Sequence, residues 1–214
     1  MCYQTRLIKK KEALQKRFQV DISDLDTFDP ALVFKAFDYP KTPIITNSEP
    51  HKTSLFNWGL IPSWSKDTSI RPYTLNARIE TLSSKPSFKE YIQNRCLIVA
   101  DGFYEWKWLN KSGTKKEKYL ISTPKEELFA IAGIYTSWTG LDGAVIQSYS
   151  MITTQANDLM SEIHNTKKRM PVILNPADEK NWLDGANYEQ FQYPYSQDLV
   201  ATLLQPDGSQ LRFF

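Results

Sequence analysis

Cys96-Leu97-Ile98-Val99-Ala100-Asp101-Gly102-Phe103-Tyr104-Glu105-Trp106-Lys107-Trp108 reads as two strands of different character about an Asp-Gly turn. The first is an unbroken apolar run, the pattern of a buried strand, in which Cys96 is inert core. The second alternates: Phe103, Glu105 and Lys107 share one face, and Tyr104, Trp106 and Trp108 share the other. Glu105 has two readings. Its aromatic neighbours can desolvate the carboxyl and raise its pKa toward the range useful for proton transfer, or it can join a cross-strand ion pair.

Downstream, Lys111 to Lys116 is a hairpin loop, and Tyr119-Leu120-Ile121-Ser122 resumes a strand. Phe129 to Trp138 is another strand, with Gly133 suited to close packing, and Tyr149 to Thr154 is a further one. Ala156 to Glu162 predicts a short helix with His164 just beyond it, where a histidine serves as a structural cap or as a catalyst. Basic residues then lead into Arg169-Met170-Pro171-Val172-Ile173-Leu174, and Pro176 to Trp182 predicts a helix.

Upstream, Ser84 to Asn94 predicts a polar helix with Phe88 and Ile92 inward, and Tyr73 to Thr81 a strand running into a helix. Asn76 in that segment is a helix cap or a side-chain amide aimed at a reacting oxygen. Trp58-Gly59-Leu60-Ile61-Pro62-Ser63-Trp64 is a turn bracketed by tryptophans; Trp58 reads as packing, Trp64 as packing or a base-stacking platform. Pro43 to Thr46 and Ser54 to Trp58 are short strands, and Asp21 to Asp24 a loop. Residues 5–18 predict a helix on the spacing of Leu7, Ile8, Leu14 and Phe18, with Lys9, Lys10 and Lys11 on a solvated face or against phosphate. With no internal repeat and no low-complexity linker, residues 1–214 are expected to form one α+β domain.

Bulk properties narrow the function classes. A chain of 214 residues with 41% hydrophobic content can bury a real core, and its net charge of +2 means that a polyanion partner must be met by a local patch. Two cysteines make no disulfide framework and fit a reducing cytoplasm. Without a charged-then-apolar leader or a run of membrane-spanning length, a cytoplasmic protein with no membrane partner is expected. The two histidines and two cysteines lack HExxH or CxxC spacing, so neither a metal nor another cofactor is expected.

Met1-Cys2 is the remaining feature. Once Met1 is removed, Cys2 carries an α-amine titrating near ~7.7–8.0 and a thiol near ~8.5 on adjacent carbons. Such a 1,2-aminothiol condenses with an aldehyde to an imine and then closes a thiazolidine. Alternatively, Cys2 is a small apolar residue at a frayed end.

Met1-Cys2, the Trp58–Trp64 turn, Asn76-Ala77-Arg78-Ile79-Glu80-Thr81, Arg95-Cys96-Leu97-Ile98, Asp101 to Trp106, and His164 with Arg169 to Leu174 together resemble the SOS-response-associated peptidase family of abasic-site-sensing proteins. Their order and spacing from Met1 to Leu174 make the match specific. The resemblance implies a pseudo-barrel of antiparallel strands with peripheral helices, a cleft for single-stranded DNA, and a monomer. It implies that Cys2 links covalently to the aldehyde of a ring-opened abasic deoxyribose, with Asn76, Glu105 and His164 as the other active-site residues. Arg78 matches an arginine on DNA phosphate, Trp64 an aromatic beside the nucleotides, and Thr153 a small polar residue lining the pocket. Self-removal of Met1 and a weak lyase activity are further expectations.

This chain departs from the family pattern in three places. The usual Gly-Arg after Met-Cys is Tyr3-Gln4, so that DNA contact is lost or supplied by Arg6 or Lys9–Lys11. The usual Phe-Arg is Phe88-Lys89, which keeps charge without the bidentate fork. Thr166-Lys167-Lys168 lengthens the usual compact run between His164 and Arg169, and can displace one from the other. Two rival readings stand beside the resemblance: an N-terminal-nucleophile hydrolase of peptide or glutamine amide bonds, and a non-covalent single-strand-binding module.

Overall fold

The computed structural model describes residues 2–125, 127–204 and 210–211, the last two by backbone alone. Its strands are β1 (Gln4–Leu7), β2 (Ala31–Lys35), β3 (Lys41–Thr46), β4 (Thr53–Trp58), β5 (Asn76–Arg78), β6 (Arg95–Ala100) and β7 (Gly102–Trp108). They continue as β8 (Lys116–Ser122), β9 (Phe129–Thr139), β10 (Val145–Gln155), β11 (Arg169–Pro171), β12 (Ile173–Leu174), β13 (Val200–Leu204) and β14 (Gln210–Leu211). The helices are α1 (Lys11–Phe18), α2 (Asp158–Ile163) and α3 (Glu179–Leu183).

β10, β4, β3, β6 and β9 close into a barrel, because β9 pairs with β10 as well as with β6. The other sheet runs β14-β13-β8-β7-β1-β2. Pairing is antiparallel except where β10 meets β4 and β5, which run parallel to it. The α+β pseudo-barrel expected from the sequence is therefore the observed architecture. Among the described residues no helix is long and apolar enough to cross a membrane.

The Asp101-Gly102 corner carries the chain from barrel to sheet. Asp101 is fully buried and accepts from Arg6 Nε at 2.7 Å and from the Ile8 and Lys9 amides at 2.7 and 3.2 Å, stapling the corner to the end of β1. Gly102 lets the strands close tightly there: a Cβ would stand 2.8 Å from Leu120 Cδ1 and 3.2 Å from the Ile121 carbonyl, so a larger residue would force its neighbours to shift.

Side chains of β6 feed two cores, as expected for a strand buried on both faces. Cys96, Ile98 and Ala100 join Ile44, Phe56, Trp58, Ile131, Tyr149 and Met151, which come from all five barrel strands and so fill its interior. Leu97 and Val99 join Leu14 of α1 and Trp182 of α3 on the outside.

Several local expectations are corrected. Residues 5–18 are not one helix: Gln4–Leu7 is a strand and the helix begins at Lys11, since β1 gains partners on both edges, β2 and β7. Ser84 to Asn94 is a chain of turns with one 3-10 turn at Lys89–Tyr91, because Pro86 interrupts any helix there. Phe88 is nonetheless buried, and Ile92 partly so. Tyr73 to Thr81 yields only the three-residue β5 and a 3-10 turn, Ile79–Thr81. The Asp21–Asp24 loop contains the start of a 3-10 turn, Ser23–Leu25.

Candidate active site

Cys2 lies just ahead of β1, which is held between β2 and β7. Its side chain is fully buried in the barrel-interior cluster, so the frayed-end reading fails. Burial pushes the thiol well above its usual range, and the negative charge of nearby Glu105 acts in the same direction. The Cys2 Sγ points to the Gln4 carbonyl at 3.6 Å.

Asn76 opens β5, pairing in register with Met151 of β10, and does not cap a helix. Its Nδ2 donates to the Cys2 carbonyl at 2.9 Å, while its buried Oδ1 has no hydrogen-bond partner.

Glu105 is 4% exposed. The cross-strand ion pair is not formed: its neighbour on β8 is Tyr119, whose hydroxyl donates to Glu117 at 2.9 Å. Burial raises the Glu105 carboxyl to about 7, and its Oε1 has no hydrogen-bond partner. An orphaned acceptor in a buried site points to a donor that arrives later.

His164 follows α2, and its backbone N–H closes the helix on the Met160 carbonyl at 2.8 Å. Its Nδ1 lies 2.8 Å from the Arg169 carbonyl. A carbonyl only accepts, so Nδ1 carries the proton and Nε2 is the basic nitrogen. Burial lowers the imidazole pKa, leaving the ring neutral near pH 7. The same Nδ1 stands 3.9 Å from Glu105 Oε1, so structural cap and acid–base candidate coincide in one residue.

The lengthened Thr166-Lys167-Lys168 segment does not separate His164 from Arg169. It coils back, with the Lys168 amide on the His164 carbonyl at 2.8 Å and the Ala156 amide on the Lys168 carbonyl at 3.0 Å. Arg169 is itself clamped. Its guanidinium is bidentate on Glu80 at 2.7 and 2.8 Å and donates to the Thr153 carbonyl at 2.8 Å.

Thr153 is fully buried, with its hydroxyl 3.3 Å from both the Ala77 carbonyl and an Arg169 nitrogen. Arg78 is exposed on β5, and strand alternation puts it on the same face as Asn76. Trp64 is 51% exposed, with Tyr73 even more open further along the same loop. Arg6 is no substitute for the missing arginine at position 4, since it is 4% exposed and ion-paired to Asp101.

Three residues of the site escaped the sequence reading. Glu80 stands in the Asn76–Thr81 motif, but its partner Arg169 lies 89 residues further on. Tyr149 stacks on Trp58, ring centroids 6.1 Å apart, and shares a 2.7 Å hydrogen bond with Thr42. Asn165 bonds the Trp108 backbone twice, accepting from its N–H at 3.1 Å and donating to its carbonyl at 2.8 Å. That amide ties the His164 turn to the strand carrying Glu105. Signals for these were absent because each depends on a partner more than fifty residues away.

The barrel-and-sheet fold thus brings together a buried second-position cysteine, a desolvated glutamate and a neutral histidine, and a fold with these residues defines the class of protein to compare it with. The profile of the family described as SOS response associated peptidase (SRAP) matches residues 1–210, and the chain belongs to that family. It is 42% identical over 164 residues to the abasic site processing protein YoqW of Bacillus subtilis, a match covering 76% of this chain and 68% of that one. It is 31% identical over 156 residues to the abasic site processing protein HMCES of Mus musculus, covering 59% of this chain and 43% of that longer protein. A crystal structure of a Bacteroides thetaiotaomicron protein superimposes with TM-score 0.85 at 34% identity, over 96% of this chain and 93% of that one.

Proposed function

We propose that this chain captures abasic sites in single-stranded DNA through Cys2, after loss of Met1, and shields the lesion as a covalent thiazolidine. Met1 itself lies outside the described residues. The observation that supports the reading best is the pair of buried acceptors without partners, Glu105 Oε1 and Asn76 Oδ1, on side chains that act directly on Cys2. An α-ammonium on Cys2 offers three N–H donors to such acceptors.

In the chemistry, the neutral imidazole of His164 takes the hemiacetal O1–H proton through Nε2 as the C1′–O4′ bond breaks, and returns it to O4′, leaving the aldehyde and a free 4′-hydroxyl. This is the reverse of a role as initial donor, because a lowered pKa leaves the ring unprotonated. The Cys2 amine then bonds to C1′. Glu105, near its midpoint at neutral pH, gives the proton with which the carbinolamine oxygen leaves as water. The thiol sulfur adds to the imine carbon while its proton passes to the ring nitrogen. One water is lost overall, and the closed ring lacks the iminium that would drive β-elimination. Slow escape from the imine before closure accounts for a weak lyase activity. The enclosed thiol disfavours external peptides as substrates, leaving Met1 removal as the peptidase step.

Arg78 and Trp64 serve the strand, the first by charge and the second by stacking. The test is intact mass after mixing with an abasic single-stranded oligonucleotide, alongside a denaturing gel. The expected species has the mass of the chain lacking Met1 plus the oligonucleotide less one water. Cys2→Ala abolishes it, and Glu105→Gln slows it. An adduct surviving Cys2→Ala, or none from protein proven to lack Met1, overturns the reading.

A further inference from the structure

Two segments distant in sequence meet beside the His164 turn: the β7–β8 hairpin and the lengthened run after His164. The Asn165 amide bonded twice to the Trp108 backbone joins them. Between them lies an open groove of about 500 Å3 lined by Trp108, Leu109, Asn110, Lys111, Asn165 and Thr166.

The groove is built rather than loose. Asn110 ties the hairpin through Thr114 Oγ1 at 2.7 Å and the Lys115 amide at 3.2 Å. Gly113, at φ +67°, lets the Trp108 ring lie against the turn, where a Cβ would come within 2.5 Å of the ring. Lys116 Nζ stands 4.8 Å from the centroid of that indole. Lys111, Lys115, Lys116, Lys167 and Lys168 are all exposed around it, and among the described residues none of them pairs with a carboxylate. Lys167 is close enough to His164 to act on its charge, which places the cationic rim next to the reaction centre.

We infer that this groove is a second contact for single-stranded DNA, holding the phosphates of the strand as it leaves the lesion site, with Trp108 and Leu109 beneath a base. The chain's net charge is only +2, so five lysines gathered without acidic partners are a local patch of the kind a polyanion needs. An exposed apolar residue next to a half-buried indole adds the stacking surface that single-strand binders use. The choice of single-stranded DNA rests on the function proposed above.

The test uses the chain with Cys2 intact and strands without an abasic site, so that only non-covalent binding is read. Anisotropy of labelled oligothymidylates, one long and one only long enough to cover the Cys2 centre, is followed against salt. Replacing Lys111, Lys115 and Lys167 together by alanine should reduce the slope of log affinity against log salt by about 2 for the long strand, at ~0.7 per phosphate contact. The short strand should keep its slope, and the triple arginine variant should restore that of the long one. An unchanged slope with the long strand overturns the groove, and so does a lysine dependence confined to duplex DNA. If chains with Cys2 intact form no abasic adduct, the proposed function fails, while the groove is still judged by the slopes alone.

Discussion

The Arg169 carbonyl accepts the His164 Nδ1–H at 2.8 Å while the guanidinium of the same residue grips Glu80 with two hydrogen bonds. One residue thus fixes both the tautomer of the imidazole and the position of the turn that carries it. The lengthened loop before Arg169 is tolerated because this clamp, not the loop, sets where His164 stands.

Glu80→Gln should therefore reach the chemistry without touching DNA or Cys2. The variant leaves a nearly buried guanidinium short of its partner, for an expected loss of about 2 kcal/mol in urea unfolding at pH 7. Adduct formation should slow, with its pH dependence shifted. A variant that loses stability but keeps the wild-type rate profile would show that the clamp is structural only.

Glu105 ties stability to pH. Its folded-state pKa of about 7 lies above the ordinary 4.5, so the folded chain holds a proton that the unfolded chain releases. The associated stability is complete below about pH 4.5 and is lost as pH rises to 7, by on the order of 3 kcal/mol. Glu105→Gln should remove that decline and be more stable than wild type above pH 7. Parallel denaturation curves at pH 5 and 8 measure the difference; equal dependence in both proteins would place the carboxyl pKa near its ordinary value.

The corner between barrel and sheet depends on Asp101. Asp101→Ala strips a fully buried partner from Arg6 and from two backbone amides, and should cost roughly 3–5 kcal/mol. A loss below 1 kcal/mol in chemical denaturation would mean that Arg6 finds another acceptor.

Gly133 on β9 is the register partner of Cys96 on the neighbouring strand β6. A Cβ at position 133 would lie 2.7 Å from Cys96 Sγ and 2.9 Å from Ile98 Cδ1, so Gly133→Ala should destabilise by about 1–3 kcal/mol. Adding Cys96→Ala removes the closer of these contacts, and the double variant should recover part of the loss. Simple additivity of the two would refute the steric explanation. Cys96→Ala alone should leave adduct formation intact.

Strand positions with a strong local pattern were legible in advance. The apolar run of β6, the alternation of β7 and the long strands β9 and β10 all stood out because side-chain period and burial agree there. The misread segments are those where local pattern and tertiary partner disagree. Leu7 and Leu14 have helical spacing, yet Leu7 belongs to a strand because β2 and β7 supply its backbone partners. In the site, Cys2, Asn76, Glu105 and His164 were named from motifs, and the fold brings Asn76 onto Cys2 and His164 within 3.9 Å of Glu105. For Thr153 the fold supplies the hydroxyl's partners, the Ala77 carbonyl and an Arg169 nitrogen.

Residue types and their order alone determined the strand-rich α+β class, the family, and which side chains are chemically able to do the work. Only the tertiary structure decided their protonation and orientation. A carboxyl is raised by the water it has lost and an imidazole tautomer is chosen by the carbonyl it meets, and both depend on atoms brought close by the closing of the barrel and its sheet.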